Sequence, residues 1–203
     1  MKGGPTIRKY ARIVSVGMAL GRNLITNEEY EKVSGVPLPQ PWREAIEKRA
    51  GIKLRYMVDP DQAPSDLAAE ASRKALDKAG LRIDDIDLII VATDTPDYQT
   101  PPTVSPLHYK LGAKLKTGGF DMNAACADNT LALMIGSYFI MLNEDVNYVL
   151  VVSPYTMTKF VDWSDVSASI FSDAAGAVIL GPSDEPGFIT GKTIADGSYY
   201  DYW

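Results

Sequence analysis

The chain has 203 residues, 46% of them hydrophobic and 23% charged, a make-up that excludes wholesale disorder and a fibrous repeat. Its 20 Lys and Arg against 26 Asp and Glu leave a formal charge of −6, so there is no cationic surplus for a phosphate backbone and no nucleic acid partner is expected. One cysteine and one histidine allow neither an internal disulfide nor a cluster of the usual zinc ligands, and no metal site is expected.

The opening MKGGPTIRKYARIV lacks the apolar core of a secretion signal, and no apolar run is read as approaching the ~20 residues that cross a bilayer. The expected location is the cytoplasm, with no membrane partner. Residues 8–20, RKYARIVSVGMAL, are rich in β-branched side chains and read as a strand ending at Gly21. Thr26 before Asn27, Glu28 and Glu29 marks a helix start, with a hydroxyl cap and carboxylates at the positive end of the dipole. A short helix is predicted over 41–50, closed by Gly51, and an extended segment over 52–58.

The clearest helix opens at Ser65, where Leu67, Ala71, Ala75 and Ala79 recur every four residues and Gly80 is placed to end it in a left-handed conformation. Its alanine stripe suits close packing on a sheet. Residues 86–92, IDLIIVA, show no polar alternation, as in a strand covered on both faces. A helix over 103–111 and a strand at GGFDMN follow. The stretch 124–142 is apolar nearly all round, which predicts a helix at the centre of a domain. YVLVVS at 148–153 reads as another buried strand, and AGAVILGP and GFITGKTI as two strands joined by the turn PSDEPG. Strands alternating with helices give an α/β architecture with helices packed on a mixed sheet.

Cys126 falls in FDMNAACADNTL, where a strand turns into the central helix. Backbone N–H groups and the positive end of a helix dipole favour a thiolate there and could polarise a carbonyl. A free cysteine is also among the most commonly buried small residues. Position by itself leaves both readings open.

The ordered segments IDLIIVATDTPDY, KLGAK, GGFDMNAAC, YVLVVS, DWSD and FSDAAGAVIL resemble the N-terminal half of ketoacyl-acyl-carrier-protein synthase III and its thiolase-superfamily relatives, which include hydroxymethylglutaryl-CoA synthase. The resemblance implies a layered αβαβα thiolase-like fold, with residues 1–203 forming its N-terminal half-domain and the C-terminal half absent from this chain. It implies that Cys126 attacks a thioester of CoA or acyl-carrier protein and holds the acyl group for Claisen-type condensation or thiolysis, with no bound cofactor. The family's C-terminal half supplies His and Asn, so a second thiolase-like chain or the missing half is the expected partner, in a dimer or hetero-oligomer.

Arg49 in KRAGIK stands where a family arginine approaches the nucleotide of CoA. Thr100 stands where a bulky phenylalanine limits the acyl pocket. Asp94 stands where hydroxymethylglutaryl-CoA synthases carry a general-acid glutamate, and each of these three residues also has a plain structural reading. Ala45 and Val166 replace a tryptophan and an arginine of the bacterial fatty-acid members, with Trp42 offset by three, and Ser172 and Ala174 replace glycines of the family's G-D-G-A-G-A segment. The lone His108 reads as a surface or capping side chain. GGFDMN is expected to be a dimer edge, and IDLIIVA and YVLVVS to need covering by the absent half, leaving the chain alone poorly soluble. The alternative is a non-catalytic structural half that scaffolds a thiolase-like complex.

Overall fold

The expected strand at 8–20 forms as β1 (Tyr10–Leu20); Arg8 lies outside the described residues, which are 9–201 of the computed structural model. After β1 come β2 (Asn23–Thr26), α1 (Asn27–Ser34), α2 (Gln40–Glu44) and β3 (Leu54–Met57). Then follow α3 (Pro64–Ala79), β4 (Leu88–Ala92), α4 (Val104–Leu111), β5 (Gly118–Met122), α5 (Asp128–Leu142), β6 (Val149–Tyr155) and β7 (Ala174–Ser183). The main sheet has five strands in the order β1-β7-β6-β4-β5. β4 is parallel to both β5 and β6, while β7 runs antiparallel to β6 and β1, so the mixed α/β sheet expected from the sequence is present.

The period-two geometry of a strand sorts the apolar run of β4 onto two faces. Ile89 and Val91 pack with Leu67, Ala71 and Ala75 of α3, whereas Leu88, Ile90 and Ala92 pack with Ala132 and Ile140 of α5. Helices therefore cover both faces, and β4 and residues 149–152 of β6 are fully buried within this chain. The expectation that these two strands lack a cover is corrected: α3 and α5 already remove them from water.

α3 behaves as its alanine stripe predicts. Leu67, Ala71 and Ala75 are wholly buried, and small side chains let β1 approach the helix backbone. At Gly17 a Cβ would lie 2.6 Å from the Ala75 nitrogen and closer still to the Ala71 carbonyl oxygen. The Ser15 hydroxyl donates to the Ala75 carbonyl at 2.7 Å across the same seam. Gly80 ends α3 with φ 66°, a left-handed conformation that glycine adopts without cost.

α1 starts as expected, with Thr26 Oγ1 accepting from the Glu29 N–H and the Glu29 carboxylate accepting from the Thr26 N–H. The predicted helix over 41–50 divides into α2 and a π-helical turn, Ala45–Arg49. β2 was not foreseen; it pairs with β3 as an antiparallel ribbon. The buried Arg55 on β3 donates to the Ser169 and Thr26 carbonyls at 2.9 and 3.1 Å and lies 4.9 Å above the Tyr30 ring.

Two readings are overturned. GFITGKTI is not a strand: Phe188 N–H donates to the Ala11 carbonyl at 2.8 Å, but Ile189 and Ile194 are exposed, and one backbone bond makes no ladder. Nor does the absence of a spanning-length run hold, since Ala125–Leu142 is a helical stretch of 18 residues that is long and apolar enough to cross a membrane by length and composition. In this fold it lies on the sheet, with Gly136 against Leu180, Val149 and Val151. The Phe188 ring also meets Tyr138 edge-on, with centroids 5.2 Å apart, while Phe139 and Leu142 stay exposed.

Candidate active site

β4, β5 and β6 run parallel, so their C-terminal ends open on one side of the sheet. The segment after β5 must reverse there to enter α5. It does so through Ala124 (φ −141°) and then Ala125, whose φ of 49° is the one positive value at a non-glycine among the described residues. A side chain in that region is strained and persists only where its surroundings hold it. The Asn123 side-chain oxygen accepts from the Ala125 N–H at 3.0 Å, and Asp128 Oδ1 accepts a short bond from the Ala124 N–H. Cys126 occupies the 3-10 turn Ala125–Ala127 at the tip of this corner, and it is exposed. The reading of Cys126 as a buried small hydrophobe is therefore excluded.

The corner forms one wall of a cleft of about 220 Å³. Asp94 from the β4 end, Cys126, Asp128 and Asn129 from the corner and α5, and Ser153 and Tyr155 from β6 all line it. Burial, followed by the charges of Asp94 and Cys126, pushes the Tyr155 hydroxyl up from its ordinary range. Burial pushes the Asp128 carboxyl up as well, outweighing the lowering by the Ala124 N–H, and the nearby Asp94 carboxylate adds to the rise. Among the described residues no Lys, Arg or His lines the cleft; its titratable groups there are two carboxyls, a phenol and a thiol.

The sequence singled out Cys126 and Asp94, and both lie here. Asp128, Asn129, Ser153 and Tyr155 escaped it. Their signal was the polar run Asp128-Asn129-Thr130 opening an otherwise apolar helix and the position of Ser153 and Tyr155 at the end of YVLVVSPY.

Arg49 is exposed at the end of the π-helical turn, and Thr100 is exposed beside a cis peptide to Pro101; neither lines the cleft. His108 sits in the last turn of α4, its Nε2 3.1 Å from the Lys114 carbonyl, in agreement with a capping role. Trp42 Nε1 donates to Ser169 Oγ at 2.9 Å, and that hydroxyl donates to the Val166 carbonyl at 2.6 Å, so the two departures flagged near Arg49 meet through one serine.

Ser172 and its neighbour Asp173 stitch the ribbon to the sheet. Ser172 Oγ accepts from the Tyr56 N–H at 2.9 Å, and the buried Asp173 accepts from the Val58 N–H at 2.9 Å and from the Thr158 hydroxyl.

The raised position of Asp128 has a consequence for stability. An acid whose folded pKa exceeds its unfolded one stabilises the fold while protonated and loses that contribution as pH rises through the folded value. Asp128→Asn keeps an acceptor for Ala124 without the charge. Its Tm is expected to exceed that of the parent at pH 7, with the difference closing as pH falls into the ordinary Asp range, measured by thermal unfolding across pH.

Known proteins resemble this chain in sequence and in fold. A family model described as 3-oxoacyl-[acyl-carrier-protein] synthase III matches residues 120–197. The β-ketoacyl-[acyl-carrier-protein] synthase III of Neisseria meningitidis serogroup A is 41% identical over 192 residues, 94% of this chain and 58% of that protein. The protein of the same name from Xanthomonas campestris pv. campestris is 40% identical, over 94% and 57%. The chain thus spans somewhat more than half the length of the curated relatives it matches. Among solved structures, a priming β-ketosynthase of a polyketide biosynthetic pathway superposes with a TM-score of 0.80 at 35% identity, over 92% of this chain and 54% of that one. The 3-oxoacyl-[acyl-carrier-protein] synthase III of Aquifex aeolicus gives 0.77 at 34% identity, over 86% and 55%.

Proposed function

The chain matches the N-terminal part of the ketoacyl-acyl-carrier-protein synthase III fold of the thiolase superfamily, and on that footing we propose that it belongs to an acyltransferase in which Cys126 is the acyl carrier. The observation that carries this reading is the exposure of Cys126 on a strained strand-to-helix corner inside a cleft. Cys126 Sγ bonds to the carbonyl carbon of a CoA or acyl-carrier-protein thioester. The carbon–sulfur bond to the carrier breaks, and the carrier thiolate leaves with the proton the Cys126 thiol gives up. One thioester replaces another, so the step is close to isoenergetic, and the acyl group then awaits a carbanion for condensation, or a thiol in the thiolytic direction.

In this reading the cleft supplies the nucleophile and the Asp94 carboxyl, which moves a proton, while His and Asn come from a second thiolase-like chain or from the rest of a longer protein. The open side of α5 with Phe139 and Leu142 is covered by that portion. β5, at the edge of the sheet and among the described residues paired with β4 alone, is the dimer edge. Arg49 meets the nucleotide of CoA, and Thr100 leaves space beside the acyl group. The reaction runs in the cytoplasm without a bound cofactor.

Intact-mass measurement of the protein, together with any co-purifying chain, after exposure to short acyl-CoAs tests the reading. An acyl adduct that peptide mapping assigns to Cys126 is the expected result. No adduct with any thioester sinks it.

A further inference from the structure

The C-terminal ends of β4, β5 and β6 frame the cleft, yet the ladder between β4 and β6 stops short of it. Its last pair is Val91 with Val152, and two residues on, Pro154 has no N–H with which to continue. Side chains take over where the backbone stops. Thr93 N–H donates to the Met122 carbonyl at 3.1 Å, and the Thr93 hydroxyl donates to the Pro154 carbonyl at 2.6 Å. Thr93 thus ties the end of β4 to the ends of both neighbouring strands.

A hydroxyl has one proton to give and two acceptor positions. Thr93 gives its proton to Pro154, so the 3.3 Å contact between the Thr93 and Thr95 hydroxyls runs from Thr95 to Thr93. The Thr95 N–H donates to Thr93 Oγ1 as well, at 3.0 Å, and Thr95 Oγ1 in turn accepts from the Thr156 N–H at 3.0 Å. A continuous hydrogen-bond chain therefore crosses from β4 to β6, through Thr156, Thr95, Thr93 and Pro154. Thr93 lines the cleft, but its proton and both acceptor positions are already taken, and Thr95 is only 1% exposed. Neither hydroxyl has anything left to offer a substrate. Between them in sequence stands Asp94, in the turn that the Thr95 N–H closes on Thr93 Oγ1.

We propose that Thr93 and Thr95 are positioning residues, a hydroxyl clamp that holds Asp94 in place opposite the Cys126 corner. The role rests on the acyl-transfer reading above, in which Asp94 moves a proton, and adds the groups that place its carboxyl. The clamp is referred to the corner itself, because Met122, which accepts from Thr93, is followed by Asn123, whose side chain steadies Ala125. Misplacing a reacting group by about 1 Å can cost on the order of 10²-fold in rate.

Acylation of the protein, isolated with any associated chain, is followed by intact mass over a range of acetyl-CoA and butyryl-CoA concentrations. Thr93→Val removes the hydroxyl at nearly constant shape and is expected to lower the limiting rate roughly tenfold or more, with the half-saturating concentration little changed. Thr93→Ser keeps the hydroxyl and is expected to stay near the parent. On an Asp94→Asn background Thr93→Val is expected to slow the reaction no further, since the clamp acts through that carboxyl. Thr117→Val is the control for a lost buried bond. The Thr117 hydroxyl donates to the Ile86 carbonyl at 2.9 Å, at the opposite end of the same strands, so this variant should lower Tm and leave the rate alone. Thr95→Val cuts the same chain one link on and takes the place of Thr93→Val if that variant does not fold. A parent rate in the clamp variant, equal slowing by Thr117→Val, or a full further loss on the Asp94→Asn background overturns the positioning role and leaves acyl transfer standing. No adduct on the parent overturns acyl transfer, and the positioning role with it.

Discussion

Serine in place of Cys126 is expected to abolish the acyl adduct and to lower any acyl-transfer rate by roughly 10³-fold or more, the scale on which losing a nucleophile acts. The thiol reaches its reactive anion far more readily than a hydroxyl does. Asp94 and Asp128 place carboxyl groups around the nucleophile, and like charge nearby further disfavours an alkoxide at a serine. The change should leave the fold intact, because Cys126 is exposed at the corner and the Asn123 and Asp128 contacts that hold Ala124 and Ala125 do not involve its side chain. Unchanged thermal unfolding beside a lost adduct is therefore the expected pair of results. An adduct that persists in Cys126→Ser places the acyl group elsewhere and refutes Cys126 as the carrier.

Gly17→Ala should be the most damaging small substitution in the sheet. Its Cβ would meet the Ala71 carbonyl and the Ala75 nitrogen, which are backbone atoms of a helix and cannot move aside by changing rotamer. Separating β1 from α3 would also stretch the bond from the Ser15 hydroxyl to the Ala75 carbonyl and open the layer around Ala71 and Ala75. Overpacking of this kind costs on the order of 3 kcal/mol, or roughly 6–12 °C of Tm for a chain of this size. Gly176→Ala is the matched control. Gly176 pairs with Met18 on the neighbouring strand, and a Cβ there has nothing within 4 Å, so its Tm should stay close to that of the parent. Equal stability for the two variants would mean that the β1–α3 seam is looser than its geometry shows.

Much of the fold was legible because its signals are local. The four-residue alanine period of α3, the Thr26 and Glu29 capping pair and Gly80 act within one or two turns, and each appears where its chemistry directs. GFITGKTI failed for the opposite reason. Its β-branched residues suit a strand, but a strand needs a partner edge, and only Phe188 finds one. β2 was missed because four residues beside a predicted loop carry little pattern until β3 folds back onto them. The cover over β4 and β6 likewise depends on which helices pack on which face, a matter of topology.

The candidate site divides along the same line. Chain order alone placed Cys126 at a strand-to-helix junction, and the ordered motifs around it pointed to thioester chemistry, since a backbone turn and a nucleophile are neighbours in sequence. Exposure of the thiol, the left-handed φ of Ala125, and the meeting of Asp94, Asp128, Asn129 and Ser153 in one cleft were decided by the tertiary structure. Those residues come from three segments up to about sixty positions apart, Asp94 to Ser153, and only parallel pairing of β4 with β5 and β6 brings their ends to the same side of the sheet.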